Sequence, residues 1–221
     1  MQCHTCNCTD DGTADCELQE CAEGEIYCVT QIENNTLRGD VRLTRRKRCL
    51  PANQEAVCEN TLDHNTGEFS YRMYSKCCST DGCNSGAIEM PDIDKTPNGK
   101  TCEACFVEDS LQCSEYKTID CTGNQHECLT FQGLGQRPGL DWKNYNFKGC
   151  ISSDACKADL TKLPASGVSE TTKYSCSLAM SLKEQPQSSL LPNVIARVTI
   201  HGFPVPGTQK DFLEANKLSS E

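Results

Sequence analysis

No run of about 18 apolar residues occurs in this chain of 221 residues, so it offers no helix able to cross a bilayer. Basic charge is scarce. With 21 Lys and Arg against 31 Asp and Glu, the net charge is −10, which excludes nucleic acid, whose phosphates require a positive surface. An acidic surface instead suits a basic extracellular protein, a receptor or a secreted enzyme, through electrostatic steering. Catalytic signatures are also missing. His4, His64, His126 and His201 lie outside any H-E-x-x-H pattern, and neither G-x-S-x-G nor a phosphate loop is present. The expectation is therefore a protein that is not an enzyme and carries no cofactor. Hydrophobic residues make up 37% and aromatics 6%, with a single Trp, so apolar material for a core is limited.

What is abundant is cysteine, 19 residues, roughly nine per cent of the chain and in the range of a disulfide scaffold. Such density belongs to an oxidising compartment, so the protein is read as secreted and extracellular. From Cys3 the spacing is C-x2-C-x9-C-x4-C-x6-C-x20-C-x8-C-x18-C, and from Cys102 it is C-x2-C-x7-C-x7-C-x6-C-x21-C-x5-C-x19-C. Two matching series mean a tandem duplication. Domain one covers residues 1–86, a Pro- and Asn-Gly-containing linker 87–100, domain two 101–181, and a tail without cysteine 182–221. Met1 stands two residues before the first framework cysteine, and the tail is polar at its end. The expectation is a mature chain, freely secreted, without a lipid anchor.

Local signals favour strands. Ile26–Ile32 and Val41–Thr44 are read as a hairpin joined by turn residues 34–40, and Glu127–Gln132 as a strand before a loop holding Gly133, Gly135, Pro138 and Gly139. Glu68–Tyr74 and Glu170–Ser175 close the two frameworks, and no helix of three turns is expected in either. In the tail, Asn193–Ile200 reads as a strand and Thr208 as the cap of a short helix.

Domain one ends Cys77-Cys78-Ser79-Thr80-Asp81-Gly82-Cys83-Asn84. This ending, after the opening C-x2-C, resembles the three-finger family of the urokinase receptor and the snake toxins. The resemblance implies an all-β fold of two tandem three-finger domains. It also implies a pairing: Cys3–Cys28, Cys6–Cys16, Cys21–Cys49, Cys58–Cys77 and Cys78–Cys83, then Cys102–Cys128, Cys105–Cys113, Cys121–Cys150 and Cys156–Cys176. Asn84 resembles the family's terminal asparagine, which ties chain ends together. Domain two has Ser177 where a ninth cysteine would stand, and no tenth. Cys8 is left unpaired. It is a free thiol, a link between two chains in a homodimer, or a replacement for Cys6 opposite Cys16.

The two-domain arrangement is similar to two secreted groups, the gamma-type phospholipase A(2) inhibitors of reptile serum and the sodefrin precursor-like courtship pheromones of salamanders. Residues 31–37 and 96–106 look closer to the pheromones. The resemblance implies binding of an extracellular protein through finger loops. Pheromone-like signalling is the first reading and phospholipase inhibition the alternative.

Candidate sites lie at those loops. Arg38-Gly39-Asp40 is the integrin-recognition tripeptide, placed by the strand pattern at the tip of a middle finger, and supports a second alternative, cell-surface adhesion. Asn35, Leu37, Arg42, Arg45 and Arg46, with Arg137 and Trp142 in domain two, complete the partner-binding candidates. The basic run Arg45-Arg46-Lys47-Arg48 is read as a solvated strand face, a contact for an anion or glycosaminoglycan, or a processing site. Asn34 and Asn7 head glycosylation sequons. A glycan on Asn34 would crowd Arg38–Asp40, so those two readings partly exclude one another. Zinc is not expected, because neither Cys3-x2-Cys6 nor Cys102-x2-Cys105 is followed by a second ligand pair at finger spacing.

Overall fold

A computed structural model describes residues 1–8, 16–59, 61–153, 155–157, 160 and 166–181, except the side chains of Asn7, Cys8, Ala56, Val57 and Cys156. The expected strand and helix beyond residue 181 lie outside the described residues. The described chain is almost entirely antiparallel β-structure. Domain one contains β1 (Gln2–Cys8), β2 (Glu17–Glu20), β3 (Glu25–Leu37), β4 (Asp40–Pro51), β5 (Thr61–Asn65) and β6 (Phe69–Cys78). Domain two contains β7 (Pro97–Glu108), β8 (Lys117–Thr122), β9 (Glu127–Gln136), β10 (Trp142–Ile151), β11 (Gly167–Val168), β12 (Lys173–Leu178) and β13 (Met180–Ser181).

The fingers follow chain order. In domain one β1 pairs with β2, β3 with β4 and β5 with β6. In domain two β7 pairs with β8 and β9 with β10, while β11 and β12 both line β9. The middle fingers are longer than the sequence suggests. Residues 34–37, read as turn, belong to β3 and pair with both β4 and β6. The turn itself is Arg38-Gly39, with φ of 48° and 90°. Positive φ at both central residues is the geometry that matches strand twist in a two-residue hairpin. Gly133 and Gly135, expected in a loop, lie inside β9, and β7 begins within the segment read as linker.

Disulfides build a hub at the base of each finger set. Eight bonds are seen among the described residues: Cys3–Cys28, Cys6–Cys16, Cys21–Cys49, Cys58–Cys77, Cys78–Cys83, Cys102–Cys128, Cys105–Cys113 and Cys121–Cys150. Cys176 is also disulfide-bonded, while the side chain of its expected partner, Cys156, lies outside the described residues. Each bond stabilises by about 2–4 kcal/mol, chiefly by restricting the unfolded chain. Asn84 closes domain one. Its Oδ1 accepts from His4 N, and its Nδ2 donates to the carbonyls of His4 and Val29. Domain two closes by backbone pairing instead, β13 lying against Thr101 and Lys100 of β7, with Ser177 exposed.

The sheets of the two domains are continuous. β5 pairs with β10 through His64↔Ile151 and Asn65↔Cys150, so one hydrogen-bonded ladder crosses from domain one to domain two. Burial alternates along the strands at this seam, as a half-buried strand requires. Leu62 and His64 on β5, and Phe69, Tyr71 and Met73 on β6, point inward. Together with Phe106, Phe131, Tyr145, Phe147 and Ile151, the apolar members of this face form one cluster. Two smaller clusters among the described residues are disulfide hubs, built mainly from Cys3, Cys28 and Cys49 and from Cys102, Cys121 and Cys150. The main apolar core of the described residues is therefore the interface between the domains. At about 25 cal/mol per Å² of apolar surface, each buried aromatic side chain there contributes on the order of 2 kcal/mol.

Candidate functional site

Backbone contact of the domains requires a residue without a side chain at the crossing. A Cβ on Gly149 would collide with the Asn65 carbonyl oxygen. On either side of that crossing, polar groups stitch the seam. Asp63 N donates to Ser152 Oγ at 3.1 Å, Ser152 N donates to Asp63 O at 2.8 Å, and Gln125 Nε2 donates to Asp63 Oδ2 at 2.8 Å. Burial raises the Asp63 carboxyl above its ordinary value, outweighing Arg72 and Gln125, which favour the carboxylate. His64 Nδ1 lies 2.9 Å from the Cys150 carbonyl. A carbonyl only accepts, so Nδ1 carries the proton and Nε2 holds a lone pair. Burial lowers the His64 pKa to about 4, against the pull of the Cys150 carbonyl.

A second polar set surrounds Glu33, a fully buried carboxylate on β3. It accepts from the Tyr71 hydroxyl at 3.2 Å and from the backbone N–H and hydroxyl of Ser166. Burial, followed by the Glu33 charge and hydrogen bond, pushes the Tyr71 pKa well up. Ser166 Oγ also accepts from Asn35 Nδ2 at 3.1 Å. Asn35 Oδ1 in turn accepts from Arg137 Nε at 2.7 Å, and Arg137 Nη2 reaches both the backbone and the side-chain carboxylate of Asp40. A buried charge needs paired and hydrogen-bonded surroundings, and these groups supply them.

The seam corrects several sequence-based expectations. Asn35, Leu37 and Arg137 are buried between the domains, so they hold the protein together instead of facing a partner. The Arg38-Gly39-Asp40 tip is exposed but occupied. Arg38 pairs with Glu68 at 3.1 Å and lies 5.9 Å from the Phe106 ring centre. Asp40 binds Arg42 and Arg137, each at 3.1 Å. The Arg42 hydrogen bond, followed by the Arg charges, holds the Asp40 carboxyl below the usual range. Arg42 also donates to the Pro138 carbonyl at 3.3 Å, tying the tip to domain two. Asn34 lies within β3 rather than at the tip, half-buried, with its Oδ1 accepting from Thr36 Oγ1 at 2.9 Å. The side chains of Asn7 and Cys8 lie outside the described residues.

Two trios of sulfur atoms, Cys3, Cys21 and Cys49 in one hub and Cys102, Cys121 and Cys150 in the other, converge within 4.8 Å. All six are disulfide-bonded and offer no thiolate to a metal. On β4, Arg46, Lys47 and Arg48 border an open basic hollow with Thr5, Cys6 and Gln19. Arg48 is partly occupied there with Gln31, Gln54 and its neighbour's carbonyl, and Lys47 donates to the Ser85 carbonyl at 2.6 Å.

The outer face of the β9–β10 finger is different. Trp142 is 47% exposed and Leu134 38%. Trp142 faces Gln136 in register and Asn144 faces Leu134, which sets Trp142 and Leu134 as diagonal neighbours on one sheet face. The indole packs over β11, where a Cβ on Gly167 would lie 2.7 Å from it. Sequence reasoning found Trp142 but not Leu134, because the register that pairs them is not visible in spacing.

Comparison with known proteins agrees with this architecture. The u-PAR/Ly-6 domain model matches residues 1–86 and 98–181. "Phospholipase A2 inhibitor LNF1" of Lachesis muta muta is 31% identical over 61% of this chain and 66% of its own length. A phospholipase A2 inhibitor of the gamma type from Laticauda semifasciata is 27% identical over 67% of this chain and 81% of its own. The chain thus spans just under two thirds of the first of these relatives. A solved structure, mouse TEX101, aligns with 82% of this chain and 99% of its own, at 18% identity and a TM-score of 0.34. With its tandem, disulfide-framed finger domains, this chain belongs to the u-PAR/Ly-6 domain family.

Proposed function

We propose that this is a secreted, non-enzymatic binding protein that holds an extracellular protein against the outer face of its β9–β10 finger. The observation that carries this reading is Trp142, the chain's single Trp, half exposed beside Leu134 on a rigid sheet face. Tryptophan on a pre-formed surface is the side chain that most often anchors a protein interface. The two domains share a core and a sheet, so that face is presented without a hinge between them. A net charge of −10 favours a basic partner.

Secreted phospholipase A2 is the first partner class, supported by relatives named as inhibitors of that enzyme. Pheromone-type signalling at a receptor is the second reading, supported by residues 31–37 and 96–106. Many of those side chains are buried, among them Ile32, Glu33, Asn35, Leu37, Ala104 and Phe106. That resemblance therefore speaks mainly for shared architecture.

The test is surface-immobilised, oxidised protein exposed to a panel of secreted phospholipases A2. Saturable binding that drops at least tenfold in Trp142→Ala is expected. A panel that binds nowhere overturns the phospholipase reading. Binding that Trp142→Ala leaves untouched overturns the assignment of this face.

A further inference from the structure

We propose that the seam between the domains contains a binding site for a small neutral alcohol, whose hydroxyl donates to His64 Nε2 and whose carbon chain fills the space beside Phe69, Phe131 and Phe147. The inference is independent of the partner-binding face.

A cavity of about 70 Å³ lies in the shared core, lined by Phe69, Phe106, Phe131, Tyr145, Phe147 and Ile151 among others. The rings around it are closely packed. Phe131 stacks on Phe147 at 4.4 Å, and His64 lies 5.1 Å from Phe147 and 6.0 Å from Phe69. Its size decides what can enter. A single water needs roughly 10–15 Å³, and an apolar cavity of about 150 Å³ takes benzene. The seam cavity lies between those limits, room for a chain of about five heavy atoms.

Two polar atoms of the lining residues are buried without a hydrogen-bond partner, His64 Nε2 and the Tyr145 hydroxyl. Buried polar atoms are seldom left unpaired, and each exception needs a reason. The Cys150 carbonyl keeps the His64 proton on Nδ1, so Nε2 can only accept. An alcohol donates one hydrogen bond and brings no charge, so it satisfies Nε2 and costs no ionic desolvation. A carboxylic acid would bring an ionised group into the same cluster that holds Glu33 nearby at Ser166, and an alkane would leave Nε2 unpaired.

The probes are 1-butanol and n-pentane, which have equal numbers of heavy atoms, titrated into the intact protein. Binding is followed by the 15N signal of His64 Nε2 and the ring signals of Phe131 and Phe147. Burying a hydroxyl without a partner costs about 2–7 kcal/mol, so an unassisted cavity would strongly prefer pentane. The expected result is saturable 1-butanol binding at least as tight as pentane, with a shifted Nε2 resonance. In His64→Phe, which keeps the ring volume, 1-butanol binding is expected to fall at least tenfold while pentane binding persists. Should His64→Phe fail to fold, the Nε2 shift in the unaltered protein remains the deciding measurement. Pentane binding without 1-butanol, 1-butanol binding with an unmoved Nε2 signal, or binding of neither overturns the proposal.

Discussion

Arg137 donates its Nε to Asn35 Oδ1 at 2.7 Å, across the boundary between two domains and 102 positions of sequence. The same guanidinium holds Asp40 at 3.1 Å. Replacing Arg137 by Met keeps most of the apolar stem and removes every donor. Asn35 Oδ1 would then be buried without a partner, a loss of about 2–3 kcal/mol for charge-assisted bonds of this kind. Urea unfolding under non-reducing conditions should show a lower midpoint with an unchanged slope. An unchanged midpoint would remove this network from any role in stability.

Gly149→Ala is expected to be worse, although it adds one methyl group. The new Cβ would meet backbone, the Asn65 carbonyl oxygen, and backbone cannot rotate away as a side chain can. Each domain keeps its disulfides, so the predicted outcome is parting of the seam rather than general unfolding. Exposure of Phe69, Phe106 and Phe147 should appear as dye binding and as an enlarged radius in solution scattering. A compact variant that binds no dye would show that the crossing tolerates more than its geometry allows.

Domain one expressed alone, residues 1–86, tests the shared core from the other side. Leu62, Phe69, Tyr71 and Met73 would face water without Phe106, Phe131 and Phe147 against them. The expected outcome is a chain with correct disulfides that self-associates, read by light scattering. A monodisperse monomer would mean that the hub suffices.

Cysteine spacing made the hubs legible, because a repeat of eight intervals survives any surface change. The alternation Phe69, Tyr71, Met73 also marked a buried strand face. Neither could say what covered that face, since the partner residues Phe106, Phe131 and Phe147 belong to another domain and pairing across domains leaves no local periodicity. Turn residues misled for a related reason. Asn34, Asn35 and Thr36 favour turns in isolation. Here β3 is flanked by β4 and β6, and Asn35 gains Arg137 and Ser166, so tertiary contacts override local preference. His64 drew no attention in the sequence because a lone histidine between Asp63 and Asn65 reads as surface. Trp142 was legible as a rare large side chain, and its neighbour Leu134 was not.

The Arg38-Gly39-Asp40 tripeptide is expected to be silent in adhesion. An integrin would need the Asp40 carboxylate, which Arg42 and Arg137 already bind. Cells plated on the oxidised protein should attach no better than on Asp40→Ala. Attachment that Asp40→Ala abolishes would show that a partner can pull this carboxylate off domain two.

Acid should loosen the seam before it touches the hubs. The His64 pKa is about 4 in the folded protein against 6.5 for the free side chain. Between these values the unfolded chain binds the extra proton, so stability is full above 6.5 and falls as pH drops toward 4. The arithmetic gives a loss of about 2 kcal/mol near pH 5, most of it due to a ring that cannot be charged while buried. Asp63 acts in the opposite sense. Its raised folded pKa means that its contribution is present below 3.8 and is lost as pH rises through the folded value. It therefore offsets part of the histidine effect. Denaturant midpoints at neutral pH and near pH 5 should differ in the unaltered protein, differ more in Asp63→Asn, and converge in His64→Phe. A His64→Phe variant that keeps the full pH dependence would place the acid sensitivity on other groups.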